Sequence, residues 1–279
     1  MTNTLTRIHP PEDIFQRSLT AHLARPDFER LQRCSVLIAG MGGGSNIAEL
    51  LVRKGVGRLT IADLDAYEPH NVRQRGSASS TWGRSKVEVM RARLLDINPH
   101  ASITAVAEGV TLENVEALVA SADYVVDMID FHALKEKVAL YRAARAAGKL
   151  TLTAPSIVNG AILYVFPPKG PTFEQFFGYD EGIPIGELGI RMLKRLIPRY
   201  AAEAPKELYQ AAARGERTIP LDAVGVDQAA VLLVAAVENL ALGRGDRIVL
   251  VPCGIQVDVS DPSYLSRIVD FSRDFGGRR

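Results

Sequence analysis

Short, mainly apolar runs alternate with helical spacings over the first half of the chain. Residues 36–39 and 59–62 are such runs, which are typical of strands covered on both faces. Between them, Ile47, Leu50 and Leu51 fall at helical spacing. This stretch therefore predicts a strand, a helix and a second strand in that order.

The alternation continues to residue 153 and predicts a parallel, doubly wound sheet. After Gly160 the pattern changes, and residues 161–166 are expected to form an antiparallel strand. The expected fold class is α/β: a Rossmann-like, doubly wound, mostly parallel sheet extended by antiparallel C-terminal strands. A helix is expected at 12–33, open to a break at Pro26, and the tail 261–279 is short and polar. The other predicted elements are helices at 83–97, 112–119, 132–147, 187–197, 203–214 and 225–242, and strands at 102–107, 124–128, 150–153, 247–251 and 254–259.

A glycine-rich loop lies directly after the first predicted strand, and an acid, Asp63, ends the second. The loop glycines are Gly40, Gly42, Gly43 and Gly44. Such glycines let the backbone approach phosphates at a helix N-terminus, and a strand-end acid can accept ribose hydroxyl groups. The pattern predicts a nucleotide site and leaves ATP and NAD open.

The composition and net charge of the chain limit the kinds of partner that we expect it to bind. The chain has 279 residues and a net charge of +1, so no global field recruits nucleic acid or anionic lipid. No apolar run approaches the roughly 20 residues of a membrane span, and the N-terminal residues lack the apolar segment of a secretory signal. The 2 cysteines, Cys34 and Cys253, cannot build a zinc site, and a cytoplasmic location is expected.

Further charged and polar residues occur close to the glycine loop in sequence. In an open α/β sheet, residues just beyond the carboxyl ends of strands line the ligand crevice, and Asp65 and Asp130 occupy such positions. Lys86 follows an irregular stretch at 66–82. Cations, fork donors and a carboxylate around a glycine loop suit a triphosphate with magnesium. The remaining members of the set are Asn71, Arg73, Gln74 and, from the N-terminal helix, Arg17.

In combination these motifs resemble the MoeB/ThiF/HesA family, the bacterial relatives of ubiquitin-activating enzymes. The resemblance covers about residues 14–166 and more weakly the C-terminal third. The matching motifs are IFQR at 14–17, GMGGGS at 40–45, DLD at 63–65, NVRQ at 71–74, GRSKVE at 83–88, INPH at 97–100 and VVDMID at 125–130.

The resemblance implies an ATP site and a reaction. Asp63 would hold the ribose of ATP with Asp65 nearby, Asp130 would bind magnesium beside Lys86, and no zinc is expected. A substrate carboxylate would attack the α-phosphate of ATP, giving an acyl-adenylate and pyrophosphate. The phosphate contacts would come from Asn71, Arg73, Gln74 and Lys86.

The family forms homodimers, so Arg17 would reach into the partner subunit's site. The resemblance divides the chain into four parts. They are an N-terminal arm and helix at the dimer contact (1–34), an ATP-binding core (35–166), a crossover or substrate region (167–223), and a C-terminal helix and strands that complete the same domain (224–279).

The chain departs from the family pattern at several positions. Ser45 replaces a glycine, Phe131 replaces an asparagine, and one residue is missing between Asn71 and Lys86, so Arg75 is an alternative to Arg73. The Cys-x-x-Cys zinc pairs and the crossover-loop cysteine of many members are absent. This favours adenylation of a small-molecule or peptide carboxylate without an enzyme thioester.

Other interpretations stay open at the level of sequence. The chain can be a non-catalytic partner subunit, or an NAD-dependent oxidoreductase that uses the same loop. Asp130 can instead cap the helix that follows it. The aromatic set Phe173, Phe176, Phe177 and Tyr179 suits a substrate wall or simple packing equally well.

Overall fold

The computed structural model describes residues 9–130, 133–183, 221–260 and 266–276, with residues 187, 188, 191, 192, 195, 211, 216 and 262 between them. The helical segments expected at 187–197 and 203–214 lie outside the described residues except at isolated positions. The helices are α1 (Pro11–Ile14), α2 (Arg25–Arg33), α3 (Gly44–Arg53), α4 (Lys86–Ile97), α5 (Val115–Ala120), α6 (Leu134–Ala146), α7 (Phe173–Phe177) and α8 (Ala223–Ala241). The strands are β1 (Ser35–Ala39), β2 (Arg58–Ala62), β3 (Ser102–Val106), β4 (Tyr124–Asp127), β5 (Thr151–Thr153), β6 (Ser156–Ile157), β7 (Gly160–Phe166), β8 (Cys253–Asp258) and β9 (Ser266–Asp270).

The strands form one mixed sheet, and its topology confirms the predicted fold class. Their order is β3-β2-β1-β4-β5-β7-β8-β9, with β6 paired to β7. The pairs among β1 to β5 are parallel, whereas β7, β8 and β9 pair antiparallel. Ala39 lies opposite Ala62 on one side and opposite Asp127 on the other. The loop after β1 therefore emerges between the carboxyl ends of β2 and β4, where such sheets bind ligands.

The two faces of β1 belong to different parts of the core. Val36 and Ile38 pack in a cluster with residues of α3, α4 and α8, whereas Leu37 and Ala39 pack in a second cluster with residues of α5 and α6. Successive side chains of a strand point to opposite faces, so a strand covered by helices on both sides must be apolar throughout. For this reason, residues 36–39 of β1 form an uninterrupted apolar run.

Helix α8 supplies one wall of the larger cluster. Its buried positions, among them Val226, Ala230, Leu233 and Val237, recur at the spacing of one helix face. Contrary to the sequence expectation, this helix has the length and hydropathy of a membrane span, the one such helix among the described residues. Buried core helices meet the same two criteria, and α8 packs on α3 and β7.

The N-terminal helix prediction is wrong between α1 and α2. The single helix expected at 12–33 is two helices separated by turns, and Pro26 lies in the first turn of α2 rather than at a break. Phe15 and Leu19 are buried between them, and the Phe15 and Phe28 rings lie 5.5 Å apart. The turns fold these side chains onto α2, which a continuous helix would not allow.

Two C-terminal predictions also fail. Residues 247–251 are not a strand, because a 3-10 helix at Gly245–Arg247 takes up the start of the segment. The segment's one backbone bond to the described part of the sheet is from the Val251 N–H to the Val165 carbonyl of β7, at 3.0 Å. The tail, predicted only to be short and polar, instead contributes β9. Most of β9 is exposed, so it lacks the apolar alternation that identifies a strand.

Candidate nucleotide site

The first glycine of the loop is required by the backbone. Gly40 has φ +94°, and a Cβ atom there would lie 2.3 Å from the Met128 carbonyl oxygen. Its N–H donates to the Ala62 carbonyl at 2.8 Å. The turn after β1 is therefore held tightly between β2 and the residue after β4, and only glycine fits it.

The start of α3 is left open for an anion. Gly43 is the N-cap residue, and no described side chain caps the helix. The first N–H groups of a helix lack partners and carry positive partial charge, which favours a phosphate. A Cβ atom on Gly44 would approach Ile38 Cγ2 to 2.9 Å, so this glycine lets the helix pack closely on β1.

Ser45, which replaces a family glycine, is fully buried and takes part in the loop. Its hydroxyl donates to the Gly42 carbonyl at 2.9 Å, and Asn46 Oδ1 lies 3.1 Å away. The substitution thus adds hydrogen bonds within the first turn of α3 without blocking the loop.

Asp63 is tied to the glycine loop. Its carboxylate accepts hydrogen bonds from the N–H groups of Met41 and, at 2.8 Å, Asp65. Burial raises the pKa of Asp63, although nearby Lys86 and the two amides oppose this effect. The acid at the end of β2 therefore lies next to the loop, as a ribose acceptor must.

Lys86 begins α4 and pairs with Asp65. Lys86 Nζ lies 2.9 Å from Asp65 Oδ2, and the Lys86 N–H donates to the Asp65 carbonyl at 3.0 Å. Lys86 also interacts electrostatically with Asp63. The structure thus brings both acids of the DLD motif and the predicted lysine together.

Two polar side chains of the loop at 66–82, Asn71 and Gln74, are buried. Asn71 Oδ1 accepts a hydrogen bond from the Glu68 N–H at 2.9 Å, and the Glu68 side chain accepts one from the Asn71 N–H. These two bonds stabilise the conformation of the loop. Gln74 is 4% exposed, and its Oε1 has no hydrogen-bond partner among the described residues. Gln74 Nε2 lies 3.7 Å from the position of a Cβ on Gly42. The unpartnered Oε1 would be satisfied by a ligand group that donates, such as a hydroxyl, whereas Nε2 is the atom that can donate to a phosphate at the glycine loop.

The two candidate arginines have different environments. Arg75 Nη2 donates to both carboxylate oxygens of Asp227, at 2.8 and 2.9 Å. Arg73 Nη1 donates to the His70 carbonyl at 3.2 Å, and within the described residues it forms no ion pair. The structure therefore leaves the Arg73 guanidinium available to an anion, whereas that of Arg75 is already paired. Asp227, on α8, was not predicted from the sequence.

Asp130 lies after β4, at the same edge of the sheet. Its side chain is exposed and makes no hydrogen bond or ion pair with another described residue. It does not cap α6, whose N-cap is Ala133. The nearby Asp127 is fully buried and contacts Lys137 Nζ at 2.6 Å and the Tyr141 hydroxyl at 2.9 Å. The VVDMID motif thus contains one structural acid, Asp127, and one acid, Asp130, whose side chain has no partner among the described residues.

Within the described residues, a magnesium site would have at most two carboxylate ligands from the protein. Among the residues that the structure describes, no group of three or more His, Cys, Asp or Glu side chains could hold a metal ion. Magnesium is commonly bound by one or two carboxylates together with substrate phosphates and water. The free Asp130 carboxylate fits that mode of binding.

The structure also shows the surroundings of Arg17 and of the predicted aromatic set. Arg17 is exposed and makes no ion pair with another described residue. Phe173, Phe176 and Phe177 are buried in a cluster with Tyr141, which favours packing over a substrate wall.

The fold and this site define an α/β protein with a glycine loop of the kind that binds nucleotides. The model of the ThiF family matches residues 15–217, which is more than half of the 279 residues. The chain belongs to the ThiF family. This confirms the family resemblance that the motifs carried.

Curated relatives and solved structures agree with this assignment. The chain is 38% identical over 122 residues to a tRNA threonylcarbamoyladenosine dehydratase of Bacillus subtilis, covering 41% of this chain and 48% of that protein. It is also 38% identical over 133 residues to a molybdopterin-synthase adenylyltransferase of Escherichia coli, covering 47% and 52%. The chain thus spans about half the length of the curated relatives it matches. A crystal structure of E. coli MccB with ATP has a similar fold, with a TM-score of 0.64 at 17% identity, over 88% of this chain and 66% of that one.

Proposed function

We propose that the protein catalyses ATP-dependent adenylation of a substrate carboxylate without forming an enzyme thioester. The observation that carries the proposal is the packing of the 66–82 loop against the glycine loop. The Arg75 N–H reaches Ser45 and Asn46 at 3.2 Å, and Gln74 lies beside Gly42. A pyrophosphate site for NAD does not need this second polar loop, whereas a triphosphate does.

Each residue has a role in this proposal. Asp63 accepts the ribose hydroxyl groups, and the open N-terminus of α3 holds phosphate oxygens. Arg73 and Lys86 neutralise the charge of the phosphates, and Gln74 donates to them. Magnesium bound by Asp130 would add positive charge at the phosphates.

The reaction needs alignment and charge neutralisation more than acid–base chemistry. An oxygen of the substrate carboxylate attacks the α-phosphorus of ATP, and the bond from that phosphorus to the α,β-bridging oxygen breaks. Pyrophosphate leaves with the electron pair, and no proton is transferred because the carboxylate is already ionised. The cations around the glycine loop offset the negative charge that gathers in the transition state.

The state of the cysteines supports the absence of a thioester. Burial, assisted by the negative charge of Asp123, raises the pKa of the Cys34 thiol to about 12. Burial and the neighbouring Asp270 also raise the pKa of Cys253. A thiolate is the nucleophile in thioester formation, so neither group is suited to that step.

The substrate class in this proposal is a small molecule or a peptide with a carboxylate. The names of the relatives do not choose among substrates, since two proteins with the same 38% identity are called a dehydratase and an adenylyltransferase. The proposal also includes a homodimer in which Arg17 reaches the partner subunit's site. Both cysteines are free thiols, which suits a cytoplasmic location.

ATP–pyrophosphate exchange in the presence of a carboxylate library tests the proposal. We expect exchange that depends on magnesium with at least one carboxylate, and its loss in K86A and D130N. Both variants should keep the far-ultraviolet circular dichroism of the wild type. Undiminished exchange in both variants would overturn the assigned roles.

A further inference from the structure

A polar cluster connects three segments that are far apart in sequence. Arg75 lies in the 66–82 loop, Asn46 in the first turn of α3 and Asp227 in α8. Asp227 Oδ1 accepts hydrogen bonds from Asn46 Nδ2 and Arg75 Nη2, both at 2.8 Å. Asn46 is almost fully buried, and the Arg75–Asp227 pair is partly exposed. The cluster therefore closes the side of the glycine loop that faces α8.

The cluster holds Arg75 through both its side chain and its backbone. The Arg75 N–H is shared between Ser45 Oγ and Asn46 Oδ1, each at 3.2 Å. The guanidinium is held by both oxygens of the Asp227 carboxylate. Two anchors at one residue fix the position and direction of the chain there, so the residues just before it are fixed as well.

We propose that Asp227 is a positioning residue that holds Arg75 against α3 and thereby sets Arg73 and Gln74 in place at the glycine loop. The inference rests on the proposed function, because the value of that placement is nucleotide binding. It also assigns the two arginines different tasks. Arg75 is the structural arginine, held by Asp227, and Arg73 is the arginine that meets the phosphates.

The position of Asp227 gives the cluster a second consequence. Asp227 lies in the second turn of α8, which begins at Ala223, at the end of the 167–223 region. Val226 Cγ1 lies 3.8 Å from the position of a Cβ on Gly43, so this end of α8 borders the glycine loop directly. A movement of this end of α8 would therefore displace Asp227 and, through Arg75, the phosphate-facing loop.

Hydrogen exchange tests the positioning role without any nucleotide. We expect faster amide exchange across 66–82 in D227N, and recovery toward the wild-type rate in D227E, which keeps the charge. E238Q is the matched control: Glu238 also links α8 to α3, through Lys54 at 2.8 Å, but does not contact this loop. Unchanged exchange in D227N, or equal acceleration in E238Q, would overturn the inference even if the protein binds ATP.

Calorimetry with ATP and magnesium tests whether the positioning of Arg73 and Gln74 by Asp227 strengthens nucleotide binding. We expect D227A and R75A each to weaken ATP binding about tenfold, and the double variant to bind no more weakly than either single one, because the two residues act as a unit. R73A should weaken binding further when combined with D227A. E238Q should bind like the wild type. Additive losses in D227A and R75A would contradict the inference.

The two experiments separate the two hypotheses. If the wild type binds no ATP, the proposed function fails, while the exchange rates of D227N and E238Q still decide whether Asp227 positions the loop. If the wild type binds ATP and D227A binds it equally well, the positioning inference alone fails.

Discussion

The Lys86 ammonium lies 2.9 Å from the Asp65 carboxylate, and the two side chains differ sharply in exposure. Only 7% of the Lys86 side chain is accessible, against 55% of Asp65. Because Asp65 faces solvent, an incoming phosphate can share the ammonium without leaving a buried charge unpaired. The pair thus holds Lys86 in place before a nucleotide arrives.

Replacing Lys86 by methionine tests this arrangement. K86M keeps the apolar stem but removes the charge, so we expect the loss of a charge-assisted contact of about 1.5–3 kcal/mol, or about 10- to 150-fold in ATP affinity. Calorimetry measures the affinity, and thermal unfolding checks the fold. K54M is the control, since Lys54 is also paired, with Glu238, but lies at the far end of α3. Equal affinities in K86M and the wild type would contradict the role of Lys86.

Two loop glycines are expected to respond differently to alanine. G40A places Cβ 2.3 Å from the Met128 carbonyl oxygen at φ +94°, so it should lower the free energy of unfolding by about 3 kcal/mol or more. G42A meets only Gln74 Nε2, at 3.7 Å, and should change stability by less than about 1 kcal/mol. G42A should nevertheless weaken ATP binding, because its methyl group occupies the approach of a phosphate. Urea unfolding and calorimetry on both variants check this pair; tight ATP binding by G42A would count against a phosphate at the loop.

Much of the fold could be predicted from local patterns. The β1–α3–β2 unit could be predicted because helices cover its strands, which are therefore apolar. The functional residues also follow directly after the ends of these strands in the sequence. Asp63 and the glycines are therefore local signals. The strand expected at 247–251 fails because a 3-10 helix, Gly245–Arg247, takes up its start, and the segment bonds to the described residues of β7 through the Val251 N–H alone.

The contacts that distinguish the site residues from one another could not be predicted from the sequence. Arg73 and Arg75 are equivalent by spacing, and only Asp227, 152 positions away from Arg75, separates them. Likewise Asp127 and Asp130 are both acids of one motif. Burial beside Lys137 and Tyr141 makes Asp127 structural, and burial at this level depends on packing rather than on residue type.

The charge of Glu49 is expected to make the free energy of unfolding depend on pH in the acidic range. Burial alone would raise its pKa, but hydrogen bonds from Arg93, at 2.6 Å, and Arg53, at 3.0 Å, lower it overall. A carboxyl with a lowered folded-state pKa stabilises the fold above its unfolded pKa of about 4.3, and this contribution is lost as the pH falls through the folded-state pKa. E49Q should therefore cost about 1–3 kcal/mol at neutral pH and progressively less below about pH 4.

Urea unfolding of E49Q and the wild type from pH 7 to pH 3 measures this difference. E29Q is a surface control, because Glu29 pairs with Arg25 and Arg33 on the exposed face of α2, and it should cost less than about 1 kcal/mol. A difference between E49Q and the wild type that does not change with pH would show that the charge of Glu49 is not what stabilises the protein.

Mixing two inactive variants tests the proposed action of Arg17 across a dimer. R17A and K86A each lack one component of the site. If Arg17 acts in the partner's site, random exchange of subunits makes half of the dimers mixed, each with one complete site, so about a quarter of the wild-type ATP sites should return. If Arg17 acts within its own chain, mixing restores no sites; if it does not act at all, R17A binds ATP before any mixing. Titration of the mixture with ATP and magnesium counts them.

The central claim is that this glycine loop and its polar neighbours bind ATP with magnesium rather than NAD. The most direct measurement is calorimetric titration of wild type and D130N with ATP, with and without magnesium, and with NAD. We predict magnesium-dependent ATP binding by the wild type, its loss in D130N, and no binding of NAD. Asp130 is exposed and has no described side-chain partner, so D130N should leave thermal unfolding unchanged. Binding of NAD without ATP, or of neither nucleotide, would contradict the account.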